Sequence, residues 1–366
     1  MISGSKPILF DPLKSYEDNY LTGPYDVGNI NYVEPHGRPS YSFLGFPIYS
    51  PFGIAAGSLP TSRHTTAAFC LGFDVVVYKT QRSTEFPCNP FPNILPLQIE
   101  GDLTLDKLEK PIFVRDDYPT DLRQLSITNS FGVPSNGPSV WMNDFQQAQT
   151  GVHAGQLLIM SVVGTIQPGF TAEDYYADFA RSAQDAKEAG AKVIEINLSC
   201  PNVASEGVIC YSPDAVFEIC KQTKAAIGDV PLVIKIGYFS HDQQALLERI
   251  VDSTSNFVSA ISAINTLQGE ILNKSGKQAL PGKGRNRSGV CGASVKWAGI
   301  DMVRRLDTLR KAKNYDYEII GVGGVMEPGD FIEYREAGAD VVQSVTGAMW
   351  DPELAMKIKR RLDLIA

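Results

Sequence analysis

The sequence predicts an α/β protein: a (β/α)8 barrel of the TIM type, with a β-hairpin insertion over its carboxyl-terminal face and an irregular N-terminal arm. Short apolar runs alternate eight times with helical segments along the chain. Most of these runs are continuous stretches of Val, Ile and Leu, which is typical of parallel strands buried on both faces. Polar or glycine-rich residues follow nearly every run. A doubly wound sheet would concentrate its ligands at one switch point, so the barrel is favoured.

The strand candidates share this apolar character and set the order of the barrel. They are residues 52–57, 75–79, 157–164, 192–197, 231–236, 258–265, 318–322 and 340–344. Helices are expected between them, and their ends carry recognisable signals: Thr171 resembles a capping residue, Pro213 lies just inside a start, and Gly190 follows an end. The helical segments are residues 171–190, 212–228, 241–254, 295–313, 328–338 and 351–366.

The chain divides into an arm and a barrel with one long insertion. Residues 1–45 are rich in Tyr, Pro, Gly and Asn and form the arm, and residues 46–366 form the barrel. The stretch at about 80–156 is too long for a single connection between strands. Its apolar pieces predict a β-hairpin over the barrel, then a binding loop and a helix near 142–149. Long insertions on this face are usually functional.

Composition limits the classes of function. The 366 residues are 43% hydrophobic and 20% charged, enough for a large core without disulfides. A net charge of −8 argues against a broad nucleic-acid surface. Six cysteines without a CxxC pair, and only four histidines, argue against a metal site. Neither a signal-like segment nor an apolar run of membrane length is present, so we expect a cytoplasmic protein without stable membrane insertion.

Two lysines end apolar strands, Lys79 after the second strand and Lys235 after the fifth. Burying a charged amine is costly unless an anion or an electron-rich ring accepts it, so we expect both to face a ligand. The alternative for each is a side chain that extends along the barrel mouth to water. The interpretation in which both lysines extend to water is the less favoured one.

Glycine-containing pairs follow the last two strands: Gly323-Gly324 after the seventh and Thr346-Gly347 after the eighth. Barrel enzymes commonly bind a phosphate group at this point, through backbone N–H groups and a helix N-terminus. Glycines also turn a chain without binding anything. The pattern therefore predicts a phosphate site without identifying the ligand.

Four asparagines lie at strand ends or in the insertion loop: Asn197, Asn202, Asn265 and Asn129. An isolated loop asparagine is usually a turn residue. Each amide both donates and accepts hydrogen bonds, so four that converge would suit a planar, amide-like ring such as a pyrimidine.

Cys200 lies between Ser199 and Pro201, in the loop after the fourth strand. A buried structural role is the usual fate of a free cysteine. A thiol at a strand end, in a loop stiffened by proline, is also a good general base once its pKa is perturbed. Cys200 is therefore the predicted base.

Together these residues resemble the dihydroorotate dehydrogenase family. The resemblance runs from about Phe46 to the C-terminus, and its most specific part is the Asn-Leu-Ser-Cys-Pro-Asn motif at 197–202. The cysteine in this motif resembles the soluble class 1 enzymes. The membrane-associated, quinone-using class usually has serine there.

The resemblance implies a flavin mononucleotide (FMN) across the barrel mouth and oxidation of dihydroorotate to orotate, in pyrimidine biosynthesis. Cys200 would remove the C5 proton while hydride passes from C6 to the flavin. The implied substrate contacts are Lys79, Asn129, Phe131, Gly132, Val133, Asn197, Asn202, Asn265 and Thr266. The implied flavin contacts are Ala56, Gly57, Lys79, Thr80, Asn197, Lys235, Gly292, Gly323, Gly324, Thr346 and Gly347.

Several alternatives stay open at this point. Cys210 is the rival base, because related dihydropyrimidine dehydrogenases carry their cysteine further along this loop. The protein is alternatively an FMN-dependent dehydrogenase of the dihydrouracil or dihydrothymine type. It is otherwise a barrel that binds flavin or pyrimidine without turnover, or a flavin-free lyase that binds phosphate.

The resemblance to class 1 implies a homodimer, with a possible electron-transfer partner subunit. Residues 203–210 and 267–269 depart from the pattern of the fumarate-using enzymes. The electron acceptor therefore stays open between fumarate, NAD reached through a partner subunit, and another oxidant.

Overall fold

The structure, a computed structural model, describes residues 8–28, 30–199 and 209–365. Eight parallel strands close into a barrel, which confirms the predicted fold. Each strand candidate forms one barrel strand, in chain order. The strands are Phe52–Ile54, Val75–Gln81, Leu157–Val162, Ile194–Asn197, Leu232–Ile236, Ala260–Ala263, Glu318–Val322 and Val341–Ser344.

Helices form the outer layer. The six predicted segments each contain a helix, as does the stretch near 142–149, whereas Thr346–Trp350 and Ser62–Cys70 are additional. The Ser, His and Thr residues of Ser62–Cys70 are weak helix formers, so its local pattern does not predict a helix. Packing compensates, because six of its nine residues are buried. The others are Pro138–Gln149, Ala172–Glu188, Pro213–Ile227, Gln244–Thr254, Lys296–Lys313, Pro328–Glu336, Thr346–Trp350 and Leu354–Arg361.

The inside of the barrel changes character along its axis. Its lower part is filled by buried apolar side chains, such as Val75, Ile159 and Val233. A short hairpin of Tyr41–Phe43 and Phe46–Ile48 packs against this apolar cluster. Towards the carboxyl ends of the strands the buried side chains become polar, namely Ser161, Glu195, Lys235, Ser262 and Gln343. This polar end is where a barrel builds its site.

A four-stranded sheet, the cap sheet, faces this end of the barrel. Its strands, in spatial order, are Ile112–Phe113, Leu267–Leu272, Arg287–Gly292 and Ser126–Asn129. The hairpin predicted within 80–156 is instead formed by the middle two strands, which follow the sixth barrel strand. Four strands come from 80–156. Ile112–Phe113 and Ser126–Asn129 flank that hairpin without pairing with each other, whereas Glu85–Phe86 and Ser135–Asn136 pair antiparallel in a separate two-stranded sheet.

The N-terminal arm is more regular than its composition predicts. Its described part contains the helix Tyr16–Thr22, which begins at a capping box formed by Ser15 and Asp18. The Arg63 guanidinium donates to the carbonyls of Tyr20 and Leu21, at 2.7 and 2.9 Å, and so ties this helix to the barrel. Among the described helices, none combines the length and the apolar character that crossing a membrane requires.

Candidate active site

A cavity, partly open to solvent, lies between the mouth of the barrel and the cap sheet. It brings together residues from the arm and most barrel strands with residues from two insertions, the one at about 80–156 and a second one after the sixth barrel strand, which carries the cap-sheet hairpin. The predicted site residues that line it are Ala56, Gly57, Lys79, Thr80, Asn129, Phe131, Gly132, Val133, Asn197, Lys235, Asn265 and Thr266. The sequence did not predict the other lining residues, which are Phe10, Ser58, Ile94, Ile127, Thr128, Cys291, Val345 and Met349.

Two asparagines form a polar pair on one wall. Asn265 Nδ2 donates to Asn197 Oδ1 at 3.3 Å and to the Ser199 carbonyl at 3.2 Å. The Ser199 N–H donates to the same Asn197 oxygen at 3.2 Å. These bonds use the oxygen of Asn197 and the NH2 group of Asn265. Among the described residues, this leaves the pair with a donor on Asn197 and an acceptor on Asn265, which together complement an amide edge.

Lys235 contributes a buried ammonium group to the cavity wall. Within the described ranges its Nζ donates no hydrogen bond. Burial lowers the pKa of this lysine, and the carboxylate of Glu195 acts in the opposite direction. A cavity with a desolvated cation in its wall favours an anion or an electron-rich ring.

Glu195 supplies the counter-charge from inside the barrel, where it is fully buried. The Ser161 hydroxyl donates to its Oε1 at 2.9 Å and lies 3.0 Å from the Thr80 hydroxyl. Its Oε2 has no hydrogen-bond partner among the described residues. Burial raises the pKa of this carboxyl, while Lys235 and Ser161 lower it.

The turn at 131–133 has a backbone conformation that suits an anion. Gly132 and Val133 have φ angles of +80° and +53°, and the second is rare for a β-branched residue. Successive N–H groups in such a turn form a concave anion site. None of the described residues accepts a hydrogen bond from the N–H groups of Phe131, Gly132 or Val133.

The predicted phosphate segments lie beside the cavity without lining it. Ser344 Oγ donates to the Val325 carbonyl at 2.7 Å, which joins the segments that follow the seventh and eighth strands. A Cβ on Gly347 would lie 2.2 Å from that same carbonyl oxygen, so only glycine fits there. The other implied flavin contacts that do not line the cavity are Gly292, Gly323, Gly324 and Thr346.

The two candidate cysteines differ in what the structure says of them. Cys200, like Asn202, lies outside the described residues, so its predicted role stays a prediction. Cys210 is described and fully buried, and burial raises the pKa of its thiol to about 12. It is absent from the cavity lining. A thiol in this environment is poorly suited to act as a base at neutral pH.

The sequence missed two buried arginines behind the cavity, Arg82 and Arg285. Arginine is usually exposed, so neither had a signal in the sequence. Phe10 was also missed, because nothing in the arm indicates contact with the site. In the described part of the chain, no group of three or more His, Cys, Asp or Glu side chains is arranged to hold a metal ion.

A closed (β/α)8 barrel whose amide pair, buried ammonium and turn of N–H groups meet in one cavity at the carboxyl ends of its strands has the site architecture of a barrel enzyme. The family model described as Dihydroorotate dehydrogenase matches residues 117–365. This match covers more than half of the chain. The chain therefore belongs to the dihydroorotate dehydrogenase family.

Three curated relatives illustrate this similarity. Dihydroorotate dehydrogenase of Dictyostelium discoideum is 36% identical over 363 residues, which is 96% of each chain. Dihydroorotate dehydrogenase B (NAD(+)), catalytic subunit, of Methanocaldococcus jannaschii is 28% identical over 61% of this chain and 66% of its own. Dihydroorotate dehydrogenase (quinone) of Chromobacterium violaceum is 24% identical over 90% of this chain and 86% of its own.

Proposed function

We propose that this protein oxidises dihydroorotate to orotate, with bound FMN as the oxidant and Cys200 as the general base. The observation that carries this proposal is that one cavity combines the asparagine pair, the anion-binding turn and buried Lys235. Dihydroorotate has an amide-rich ring and a carboxylate, and its oxidation requires an electron acceptor beside that ring. The asparagine pair suits the ring, the turn suits the carboxylate, and Lys235 suits the electron acceptor.

The residues present fit a flavin. Ser58 and Thr266 present buried hydroxyl groups to the cavity that have no partner among the described residues. Gly57 leaves room beside Val345, whose Cγ1 would lie 3.2 Å from an added Cβ. FMN, when bound, supplies the acceptor for the hydride that leaves C6. The residues proposed to hold it are Ala56, Gly57, Lys79, Thr80, Asn197, Lys235, Gly292, Gly323, Gly324, Thr346 and Gly347.

The chain itself orients the substrate and removes a proton. Asn197 and Asn265, with Asn129, Asn202 and Thr266, hold the pyrimidine by its amide edges. The N–H groups of 131–133 receive the carboxylate, and Lys79 lies near both ligands. Cys200 takes the C5 proton, which is acidified by the adjacent carbonyl group.

Anaerobic mixing of the purified protein with dihydroorotate tests this proposal. The yellow flavin absorbance should bleach, and orotate should form in equal amount. Dihydrouracil, which lacks the carboxylate, should bleach the flavin at least about 100-fold more slowly, because the buried donors of the turn would stay unpaired. Faster bleaching by dihydrouracil would favour a dehydrogenase of that substrate class instead.

Two other outcomes would replace the proposal. A yellow protein that neither compound bleaches would indicate a barrel that binds flavin without turnover. A colourless protein would favour a lyase.

If dihydroorotate does bleach the flavin, the reduced enzyme should be reoxidised with fumarate, a quinone and NAD⁺ in turn, because the relatives are named for different acceptors.

We also propose that the protein is a cytoplasmic homodimer, on the basis of its resemblance to the class 1 enzymes. Sedimentation equilibrium should give twice the chain mass of 39.9 kDa. A monomer that oxidises dihydroorotate at the full rate would contradict this assembly. Copurification from cell extract would reveal a partner subunit that passes electrons to NAD.

A further inference from the structure

We propose that Arg82 and Arg285 are positioning residues that hold the turn at 131–133 with its N–H groups facing the cavity. By doing so they set the preference for a pyrimidine that carries a carboxylate. This inference rests on the proposed function, since the carboxylate is that of dihydroorotate or orotate. Neither arginine lines the cavity itself.

The geometry of the peptide bond carries the inference. A trans peptide group is planar, and its C=O and N–H point in opposite directions. A carbonyl held on one side therefore fixes the next residue's N–H on the other side. The three peptide groups from Ser130 to Val133 all have their carbonyl oxygens held on the side away from the cavity.

Arg285 holds the first of these groups. Its Nη2 donates to the Ser130 carbonyl at 2.8 Å, and its Nε donates to the Ser130 hydroxyl at 3.1 Å. Its Nη1 donates to the Pro90 carbonyl at 2.7 Å, which fixes the guanidinium in place. Asn93 Nδ2 also donates to the Ser130 carbonyl, at 3.0 Å. The Phe131 N–H is thereby directed towards the cavity.

The second peptide group is held by backbone alone, since the Asn89 N–H donates to the Phe131 carbonyl at 2.9 Å. The Asn89 side chain also lies behind the turn, 3.1 Å from where a Cβ on Gly132 would be. This second peptide group needs no arginine to hold it. It directs the Gly132 N–H to the same side as the N–H groups of Phe131 and Val133.

Arg82 holds the third group and the end of the turn. Its Nη2 donates to the Gly132 carbonyl at 3.2 Å, and its Nε donates to the Val133 carbonyl at 2.8 Å. Its Nη1 donates to the Gly164 carbonyl and the Thr165 hydroxyl, at 3.2 and 3.1 Å, so the turn is tied to the segment that follows the third barrel strand. The planar fork of arginine holds several carbonyls in one fixed geometry, which the flexible ammonium group of lysine does not reproduce.

The arginines also offset an unfavourable backbone. Val133 adopts a left-handed φ that a β-branched residue avoids. Hydrogen bonds from a charged donor to the carbonyls on either side of Val133 stabilise that conformation. Without them we expect the turn to relax and the three N–H groups to diverge.

The test compares orotate with uracil, which is the same ring without the carboxylate, on the flavin-loaded protein. Calorimetry gives each dissociation constant for the native protein and for Arg82→Met, Arg82→Lys and Arg285→Met. Arg335→Met is the matched control, because Arg335 donates to the Ala339 carbonyl before the eighth strand, at the opposite end of the barrel.

Arg82→Met should weaken orotate binding by about 10- to 100-fold, the effect of losing one or two hydrogen bonds to a charged group. Uracil binding should change by less than about 3-fold. Arg82→Lys should fall between Arg82→Met and native, and Arg285→Met should show the same selectivity with a smaller loss. With dihydroorotate, KM should rise more than kcat falls.

Equal losses for orotate and uracil, or native orotate binding in a folded Arg82 variant, would overturn the inference. If Arg82→Met does not fold, Arg82→Lys decides in the same way. A native protein that prefers orotate but does not oxidise dihydroorotate would refute the proposed function and leave the inference standing. If Arg82 and Arg285 variants oxidise dihydroorotate and still prefer orotate to uracil as strongly as the native protein does, the inference is refuted and the proposed function stands.

Discussion

The ring of Phe10 meets the ring of Phe131 edge-on, with centroids 5.7 Å apart and planes at 88°. Tyr16 packs on the same Phe131 ring, with centroids 6.1 Å apart. Phe10 and Tyr16 belong to the N-terminal arm, whereas Phe131 begins the turn at 131–133. The arm is therefore part of the wall of the candidate site, and not only a tether.

Replacing Phe10 by alanine tests this contribution of the arm. An edge-to-face pair is worth about 0.5–1.5 kcal/mol beyond its buried area. We expect KM for dihydroorotate to rise by about 3- to 10-fold, because the turn loses support, and kcat to change by less than about 2-fold. Leu13→Ala is the control, since Leu13 lies on the same arm and is 71% exposed. Equal effects of the two substitutions would contradict a role for Phe10 in the site.

Replacing Lys235 by methionine should lower the midpoint potential of the bound flavin. A cation near the ring stabilises the reduced anionic form, and one charge-assisted contact is worth about 1.5–3 kcal/mol. That range corresponds to roughly 30–65 mV for a two-electron couple. Ser262→Ala is the control, because Ser262 pairs with Lys235 in register but carries no charge. An unchanged potential in Lys235→Met would remove this role.

Replacing Glu195 by glutamine should change how that potential depends on pH. Burial lowers the pKa of Lys235, and Glu195 raises it. Without the carboxylate, Lys235 should lose its proton at a lower pH. The alkaline pH at which its stabilisation of reduced flavin is lost should therefore move down. A shift to higher pH would show that Glu195 does not support the charge of Lys235.

The two cysteines should respond differently to alanine. Cys200→Ala should keep its flavin and lose about 100- to 10,000-fold in the rate of flavin reduction, the usual contribution of a general base. Cys210→Ala should stay within about 3-fold of native, because its buried thiol, with a pKa of about 12, lies outside the cavity lining. The base would have to be reassigned if only the Cys210 variant were inactive.

His64 should make the stability of the fold sensitive to mild acid. It is fully buried, its Nδ1 lies 2.7 Å from the Thr61 hydroxyl, and its Nε2 has no partner among the described residues. Burial lowers the pKa of His64 to about 3. The unfolded chain, with an ordinary histidine pKa near 6.5, therefore binds the extra proton between these two values.

Stability contributed by neutral His64 is thus complete above about pH 6.5 and is lost as the pH falls towards 3. The free energy of unfolding should drop by up to about 1.4 kcal/mol per pH unit from this group. Chemical denaturation at pH 6.5 and pH 5 measures the difference in the free energy of unfolding. This difference should be smaller in His64→Gln. Exposed His153 provides the control substitution, which should leave the difference unchanged.

The barrel was predictable because its signals are local. Most strands are continuous runs rich in Val, Ile and Leu, and their ends are marked by polar or glycine residues within the next few positions. Lys79, Lys235 and Asn265 follow such runs, and the structure brings all three to one cavity. Since strand ends of a closed barrel meet at one mouth, these residues could be grouped from the sequence alone.

The remaining features depend on contacts between distant parts of the chain. Ser126–Asn129 pairs with Arg287–Gly292, and no local pattern indicates that pairing. Arg82 and Arg285 look like ordinary surface arginines until the fold buries them. The roles of Cys200 and Asn202 stay predictions, because both lie outside the described residues.

The cap sheet has a consequence for exchanging parts between relatives. Its two insertions interlock edge to edge, with Ile127 opposite Cys291 and Asn129 opposite Gly289. A chimera that receives one insertion from a relative would keep a foreign edge against a native one, and both edges line the cavity. The insertions should therefore be transplanted as a pair, and divergence in one is expected to be matched by divergence in the other.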